Sequence, residues 1–180
     1  MASGNSLKIL ERLVAFDTTS SKSNLDCIDF IRAELARSGI ESNLSFNEAR
    51  TKANLFATLG PANQPGILLA GHTDVVPVEG QSWKADPFQL IDRNNNLYGR
   101  GTADMKGFLA ILLGLVPEFL RASTRAPIHL AFTYDEEVGC LGVQSLIPKI
   151  ERLTVRPMAC IIGEPTEMKL VTAHKGKTIL

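Results

Sequence analysis

An uninterrupted apolar stretch constrains the fold of this chain more than any other feature. Residues 66–71 read Gly-Ile-Leu-Leu-Ala-Gly, which is typical of a strand covered on both faces. Further strand-like stretches occupy residues 41–47, 54–60, 127–137, 158–165 and 169–176. They alternate with helix-like stretches, so the sequence predicts an α/β fold. We expect three α/β/α layers around a mixed, largely parallel central sheet.

The helices are predicted from apolar residues at helical spacing. We expect a first helix over residues 6–16 and a second that contains Cys27, Ile28, Ile31 and Leu35 and ends at Gly39. Residues 108–120 predict one buried helix and residues 141–150 another. The intervening residues 80–88 and 92–107 are rich in polar residues and glycine, and they predict long loops.

The composition excludes several classes of function. Lysine plus arginine equals aspartate plus glutamate at 19 each, so no charge excess favours nucleic acid or an anionic membrane. The three cysteines form no Cys-x-x-Cys pair, which favours a reducing cytoplasm. Neither a secretory leader nor a long uncharged apolar span is evident. We therefore expect a cytoplasmic protein that binds neither nucleic acid nor a membrane.

Acidic residues and a histidine recur where the predicted strands stop or the loops begin. The set is His72, Asp74, Asp104, Glu136, Glu137 and Glu164. Each feature alone is weak, because strand ends are often polar and adjacent acids are usually solvated. These residues fall at four sites, residues 72–74, 104, 136–137 and 164. All but the second site end a strand-like stretch, and ligands of α/β folds lie beyond the carboxyl ends of the strands.

Carboxylates crowded at one sheet edge require a compensating positive charge, and no lysine or arginine cluster matches them in number. A divalent metal would supply that charge. One imidazole among carboxylates suits zinc, cobalt or manganese better than calcium or magnesium. Three carboxylate ligands and a hydroxide balance two divalent ions, so the charge count favours a dinuclear site.

The remaining acidic groups then acquire roles. Asp74 can accept the second N–H of His72 and so fix the imidazole tautomer. The side chains of Glu136 and Glu137 diverge, so one can bind metal while the other takes a proton from an activated water. This arrangement predicts metal-assisted hydrolysis, in which the metals polarise the scissile carbonyl.

Four motifs carry a resemblance to a known family. Residues 71–88, 97–110, 134–139 and 161–166 occur in order, and together they resemble the dinuclear-zinc aminoacylase and carboxypeptidase family. The resemblance extends from residues 13–20 to residues 173–176. Those two flanking stretches look most like the deacetylases of the family and less like its desuccinylases.

The resemblance implies a role for each residue of the set. His72 binds one metal, Asp104 bridges both, Glu164 completes the first metal site and Glu137 binds the second metal. Glu136 is the general base, and Asp74 orients His72. Members of the family carry a cis peptide after the bridging aspartate, which implies a cis bond between Asp104 and Met105.

The resemblance also implies a longer protein. Residues 1–180 correspond to the N-terminal portion of the metallohydrolase catalytic domain. A lid or dimerisation domain and the remainder of the catalytic domain, with a further histidine ligand, are expected after residue 180. The full-length parent is expected to be a homodimer. Two alternatives stay open: the same chemistry on a succinylated or dipeptide substrate, and a non-catalytic fragment.

Two further histidines and one cysteine carry side chains that can serve at such a site. His129 lies inside a strand-like stretch, which favours a structural role. His174 has no ligand spacing, and a role near the substrate or at a hinge is possible. Cys140 follows the two glutamates closely but has no histidine nearby in the sequence, so it is expected to be a small buried side chain.

Overall fold

The computed structural model describes residues 4–122 and 125–173. The helices are α1 (Gly4–Ala15), α2 (Leu25–Arg37), α3 (Lys106–Gly114), α4 (Val116–Ala122) and α5 (Val143–Glu151). The strands are β1 (Ser42–Phe46), β2 (Ala53–Leu59), β3 (Ile67–His72), β4 (Ile91–Arg93), β5 (Asn96–Tyr98), β6 (Ile128–Thr133) and β7 (Ala159–Ile162). No helix of this described part is both long and apolar enough to cross a membrane.

The central sheet contains five strands in the order β1-β2-β6-β3-β7. Strand β2 pairs antiparallel with both of its neighbours, whereas β3 pairs in parallel with β6 and β7. Every strand of the sheet except β2 therefore points in the same direction. This arrangement confirms the predicted mixed, largely parallel sheet.

Helices cover both faces of the sheet, which confirms the three-layer prediction. Helices α1, α2 and α3 form the main core with the sheet, where Leu13, Ile31 and Leu109 are fully buried. Helix α5 packs on the opposite face through Leu146, which contacts the buried Leu68 and Ala131. Alternate residues of a strand point to opposite faces, so both faces of β3 and β6 are apolar.

Two glycines at strand ends allow α3 to pass close to the sheet. A Cβ on Gly71 would lie 2.8 Å from Leu109 Cδ2, and a Cβ on Gly163 would lie 2.1 Å from Phe108 Cγ. Real Cβ atoms do not approach other atoms so closely, so only glycine fits at either position without a shift. These contacts place the start of α3 beside the carboxyl ends of β3 and β7.

The structure differs from the sequence-based expectation in three places. The single helix expected over residues 108–120 divides at Leu115 into α3 and α4, because Pro117 cannot continue the hydrogen-bond ladder of α3. The polar stretch 92–107 contains most of the hairpin β4–β5. Its turn residues Asn94 and Asn95 both have positive φ, as a type I′ turn requires. The sequence predicts a strand over residues 169–176, but residues 169–173 do not form one. Residues 174–176 lie outside the described residues.

Candidate metal centre

The sheet brings three of the predicted positions to one edge. His72 is the last residue of β3, the strand between β6 and β7. It lies opposite Thr133, the last residue of β6, so Glu136 and Glu137 follow only a few residues later. Glu164 comes two residues after the end of β7. Because these strands are parallel, their carboxyl ends meet, as the sequence predicted.

Asp104 reaches the same place from the loop before α3. The peptide between Asp104 and Met105 is cis, which agrees with the implication of the resemblance. The Met105 side chain is fully buried, and its Sδ accepts the backbone N–H of His72 at 3.2 Å. Asp104 Oδ1 lies 3.0 Å from His72 Nε2.

The hydrogen bonds of His72 define which ring nitrogen carries a proton. Its Nδ1 lies 2.9 Å from the backbone oxygen of Asp74 and 3.5 Å from Asp74 Oδ1. A carbonyl oxygen can only accept, so Nδ1 is the donor. Asp74 therefore orients the imidazole mainly through its backbone carbonyl, and its carboxylate is a more distant neighbour.

The second ring nitrogen of His72 faces three carboxylates. Besides Asp104 Oδ1, it has Glu164 Oε1 at 3.8 Å and Glu136 Oε2 at 3.9 Å. The imidazole is 1% exposed, whereas the side chains of Asp104, Glu136 and Glu164 are between 37% and 46% exposed. A lone pair directed at three anions is unfavourable, so this position requires a proton or a cation.

The pKa shifts of His72, Glu137 and Glu164 also indicate that positive charge is favoured in the cluster. Burial alone would lower the pKa of His72, but the hydrogen bonds and charge of Asp74, together with the charge of Glu164, raise it to about 9. Burial and the nearby carboxylates raise the pKa of Glu137, with Asp104 as the main neighbour. Burial also raises the pKa of Glu164, although the charge of His72 opposes it. These directions indicate that positive charge is favoured at this position.

The residues present fit divalent cations in two overlapping sets. One set is His72, Glu136 and Glu164, and the other is His72, Asp104 and Glu137; within each, one potential ligand atom from every residue lies within 4.8 Å of the others. One imidazole nitrogen with carboxylate oxygens is a donor set suited to zinc, cobalt or manganese. These sets differ from the assignment of ligands that the resemblance implies, because Glu136 lies as close to His72 as Glu164 does.

The carboxylate of Asp74 has a second task that the sequence did not reveal. Its oxygens accept the backbone N–H groups of Glu136 at 3.1 Å and Glu137 at 3.3 Å, and the hydroxyl of Ser20 donates to Oδ2 at 2.7 Å. Burial would raise the pKa of Asp74, but the bonds from His72, Ser20 and Glu136 lower it overall. Asp74 therefore fixes both the imidazole and the backbone of the two glutamates.

Cys140 lies elsewhere than expected. The sequence suggested a small buried side chain, but the residue is exposed, and its Sγ lies 3.5 Å from Glu136 Oε1. The backbone of residues 139–142 folds back by hydrogen bonds to residues 134–136, which brings the thiol to the glutamate. The sequence did contain a signal for this contact. Cys140 follows Glu136 by four positions, and a tight turn brings residues with that spacing together.

His129 does not join the cluster. His129 lies in β6, is 2% exposed and shares a hydrogen bond with the Thr58 hydroxyl at 2.9 Å. Its ring also stacks on Phe56, which agrees with the structural role expected for it. His174 lies outside the described residues.

Fold and cluster together define an α/β protein with a histidine–carboxylate site for divalent cations at the carboxyl edge of its sheet. The chain belongs to peptidase family M20/M25/M40, whose profile matches residues 68–175.

Named relatives and solved structures agree with this assignment. The chain is 37% identical over 177 residues to acetylornithine deacetylase of Pasteurella multocida, a match that covers 94% of this chain and 45% of that protein. It is 39% identical over 163 residues to acetylornithine deacetylase of Photorhabdus laumondii, covering 90% and 41%. The chain thus spans less than half the length of these relatives.

Among solved structures, the carboxypeptidase Sso-CP2 of Sulfolobus solfataricus has a TM-score of 0.76 at 22% identity, covering 88% of this chain and 37% of that one. Human carnosine dipeptidase 1 has a TM-score of 0.75 at 22% identity, covering 87% and 38%. At this identity, the likeness concerns the fold.

Proposed function

We propose that the complete protein is a metal-dependent amide hydrolase that converts N2-acetyl-L-ornithine and water to L-ornithine and acetate. The observation that carries this proposal is the direction of His72 Nε2, which faces the carboxylates of Asp104, Glu136 and Glu164. The family assignment and the names of the relatives support the substrate class. The sequence motifs at residues 13–20 favour the acetylated substrate over a succinylated one.

The proposed cofactor is a pair of divalent cations, with zinc first and cobalt or manganese as alternatives. His72, Asp104, Glu137 and Glu164 are the residues that would hold these ions. When bound, the ions supply Lewis-acid polarisation of the amide carbonyl and acidify the attacking water. Two doubly charged cations would also offset the negative charge of the carboxylates that surround His72 Nε2.

Glu136 is the proposed general base. Its side chain is 38% exposed and lies 3.9 Å from His72 Nε2, so it can reach both the ligand sphere and a substrate that approaches from solvent. It would take the proton of the attacking water and return it to the leaving amine. A positioned carboxylate base typically contributes about 10²–10⁴-fold to the rate.

The experiment that tests the reaction uses the full-length protein. We expect acetate release from N2-acetyl-L-ornithine in the zinc-loaded enzyme and loss of that activity with a chelator. Absence of acetate release, or activity unaffected by the chelator, would contradict the proposal. Parallel assays with succinyl-diaminopimelate and a dipeptide decide between the amide substrates.

The state of the 180-residue chain is a separate question. If residues 1–180 hold both cations by themselves, elemental analysis should find two tightly bound metals per chain. One weakly held metal, or none, would instead support the non-catalytic alternative for this piece. A homodimeric, cytoplasmic full-length enzyme acting on a small molecule remains part of the proposal, and sedimentation of the full-length protein tests the dimer.

A further inference from the structure

The backbone that precedes the two glutamates adopts an uncommon conformation. Asp135 has a φ of 55°, in the left-handed region that side-chain-bearing residues adopt rarely and that aspartate and asparagine tolerate best. Asp135 is 8% exposed, so its carboxylate is almost removed from water. The surrounding structure must therefore hold this residue in place, and with it the direction in which Glu136 and Glu137 leave β6.

Lys52 supplies the charge that faces Asp135. It lies directly before β2, 83 positions away in the sequence, and its Nζ donates to Asp135 Oδ1 at 2.5 Å. The two side chains are only 14% and 12% exposed. Removing one partner of a buried ion pair is strongly destabilising, because the other charge stays buried without compensation. The pair thus ties the start of the glutamate segment to the sheet.

The same ammonium group also reaches the second anchor of that segment. Lys52 Nζ donates to the backbone oxygen of Ser20, and the Ser20 hydroxyl donates to Asp74. Asp74 in turn accepts the backbone N–H groups of Glu136 and Glu137. Lys52 therefore supports the glutamate segment twice, directly through Asp135 and indirectly through Ser20 and Asp74.

We propose that Lys52 is a positioning residue for the Glu136–Glu137 segment, acting through its ion pair with Asp135. In the hydrogen bonds described, Lys52 contacts neither glutamate side chain. Its effect is therefore on the position of the two carboxylates. This inference rests on the proposed function for its consequence in catalysis, but the positioning itself can be measured without substrate.

The variants separate the ion pair from general stability. Lys52→Met keeps the aliphatic stem and removes the charge, and Lys52→Arg restores a cation. Asp135→Asn removes the opposite charge while keeping a residue that tolerates positive φ. Lys149→Met is the control, because Lys149 Nζ also donates a part-buried hydrogen bond, to the Ser45 hydroxyl at 2.6 Å, away from the cluster.

Cobalt(II) titration of the 180-residue chain provides the first readout. We expect Lys52→Met and Asp135→Asn each to weaken the affinity for Co²⁺ by about tenfold and to change its visible absorption spectrum. Lys52→Arg should restore much of both, and the double variant should lose no more than either single variant, because the two residues act as one pair. An unchanged spectrum and affinity in both single variants would overturn the inference.

Amide hydrogen exchange provides a readout that does not depend on metal. The Glu136 and Glu137 amides should exchange at least about tenfold faster in Lys52→Met than in the parent, while the Leu130 amide within β6 stays near its parent rate. Lys149→Met should leave the glutamate amides unchanged relative to Leu130. If the parent 180-residue chain binds no Co²⁺, the non-catalytic alternative for this piece is supported, and exchange alone decides the positioning role. Equal exchange in the parent and Lys52→Met would refute that role.

Discussion

The carboxylate of Asp74 accepts the backbone N–H of Glu136 at 3.1 Å, although 62 positions separate the two residues in the sequence. The same residue accepts Nδ1–H of His72 through its backbone oxygen. One aspartate thus sets the orientation of a proposed metal ligand and the position of the proposed general base. This double use explains why Asp74 is 2% exposed yet has hydrogen-bonding partners for both carboxylate oxygens.

Replacing Asp74 should therefore affect metal binding more than its lack of direct metal contact suggests. For Asp74→Asn we expect zinc affinity to fall by about 10–100-fold, because the carboxylate that holds the backbone N–H groups of Glu136 and Glu137 loses its charge and one acceptor oxygen. Isothermal titration of the 180-residue chain measures this. Asp92→Asn, at an exposed position in β4, is the control and should bind zinc like the parent. Parent-like affinity in Asp74→Asn would mean that the backbone carbonyl alone orients His72.

The roles of Glu136 and Glu137 can be separated by paired substitutions in the full-length enzyme. Glu136→Gln should lower kcat by about 10²–10⁴-fold and leave the metal content nearly unchanged. Glu137→Gln should instead lose metal, because it removes a ligand. Metal analysis beside steady-state kinetics distinguishes the two. The closeness of Glu136 to His72 and Glu164 makes the test informative: metal loss in Glu136→Gln alone would show that the two roles are reversed.

Metal binding should be coupled to proton release by His72. The pKa of His72 is raised to about 9 in the metal-free protein, so at pH 7 the imidazole is protonated and must lose that proton to bind a cation. The apparent zinc affinity should rise by about tenfold per pH unit from roughly pH 7 to pH 9 and level off above. Calorimetry in buffers of different ionisation enthalpy measures the released protons. Affinity independent of pH over this range would show that His72 is neutral before the metal binds.

Lys106 should make stability depend on pH in the alkaline range. Its side chain is fully buried and donates to the backbone oxygen of Phe16 at 2.6 Å. Burial lowers the pKa of Lys106 from 10.5 to about 8. Between these values the unfolded chain holds more protons than the folded one, so the free energy of unfolding rises with pH. The full effect corresponds to roughly 3 kcal/mol.

Urea unfolding of the metal-free parent and Lys106→Met from pH 7 to pH 10 isolates this contribution. The stability of the parent relative to Lys106→Met should increase as the pH rises, since the variant has no buried amine to discharge. Lys8→Met, at an exposed position in α1, should differ from the parent by a constant amount. A constant difference for Lys106→Met as well would show that the buried amine does not titrate in this range.

Much of the architecture could be predicted because it depends on local patterns. The apolar stretch at residues 66–71 and the helical spacing of Leu10, Leu13 and Val14 indicated buried elements of the right type. The hairpin β4–β5 was missed because its asparagines were interpreted as loop residues, although Asn94 and Asn95 are suited to a turn with positive φ. The division of α3 from α4 could have been inferred from Pro117.

The sequence by itself determined that acids and a histidine lie at the ends of strands, because local sequence patterns decide where a strand begins and ends. Only the tertiary structure decided how they meet. The parallel order β6-β3-β7 places His72 between the glutamates and Glu164. The sheet also brings Lys52 into contact with Asp135, which lies 83 positions away in the sequence. Such pairs depend on strand register and loop geometry, which follow from packing the whole sheet and cannot be read from the spacing of residues along the chain.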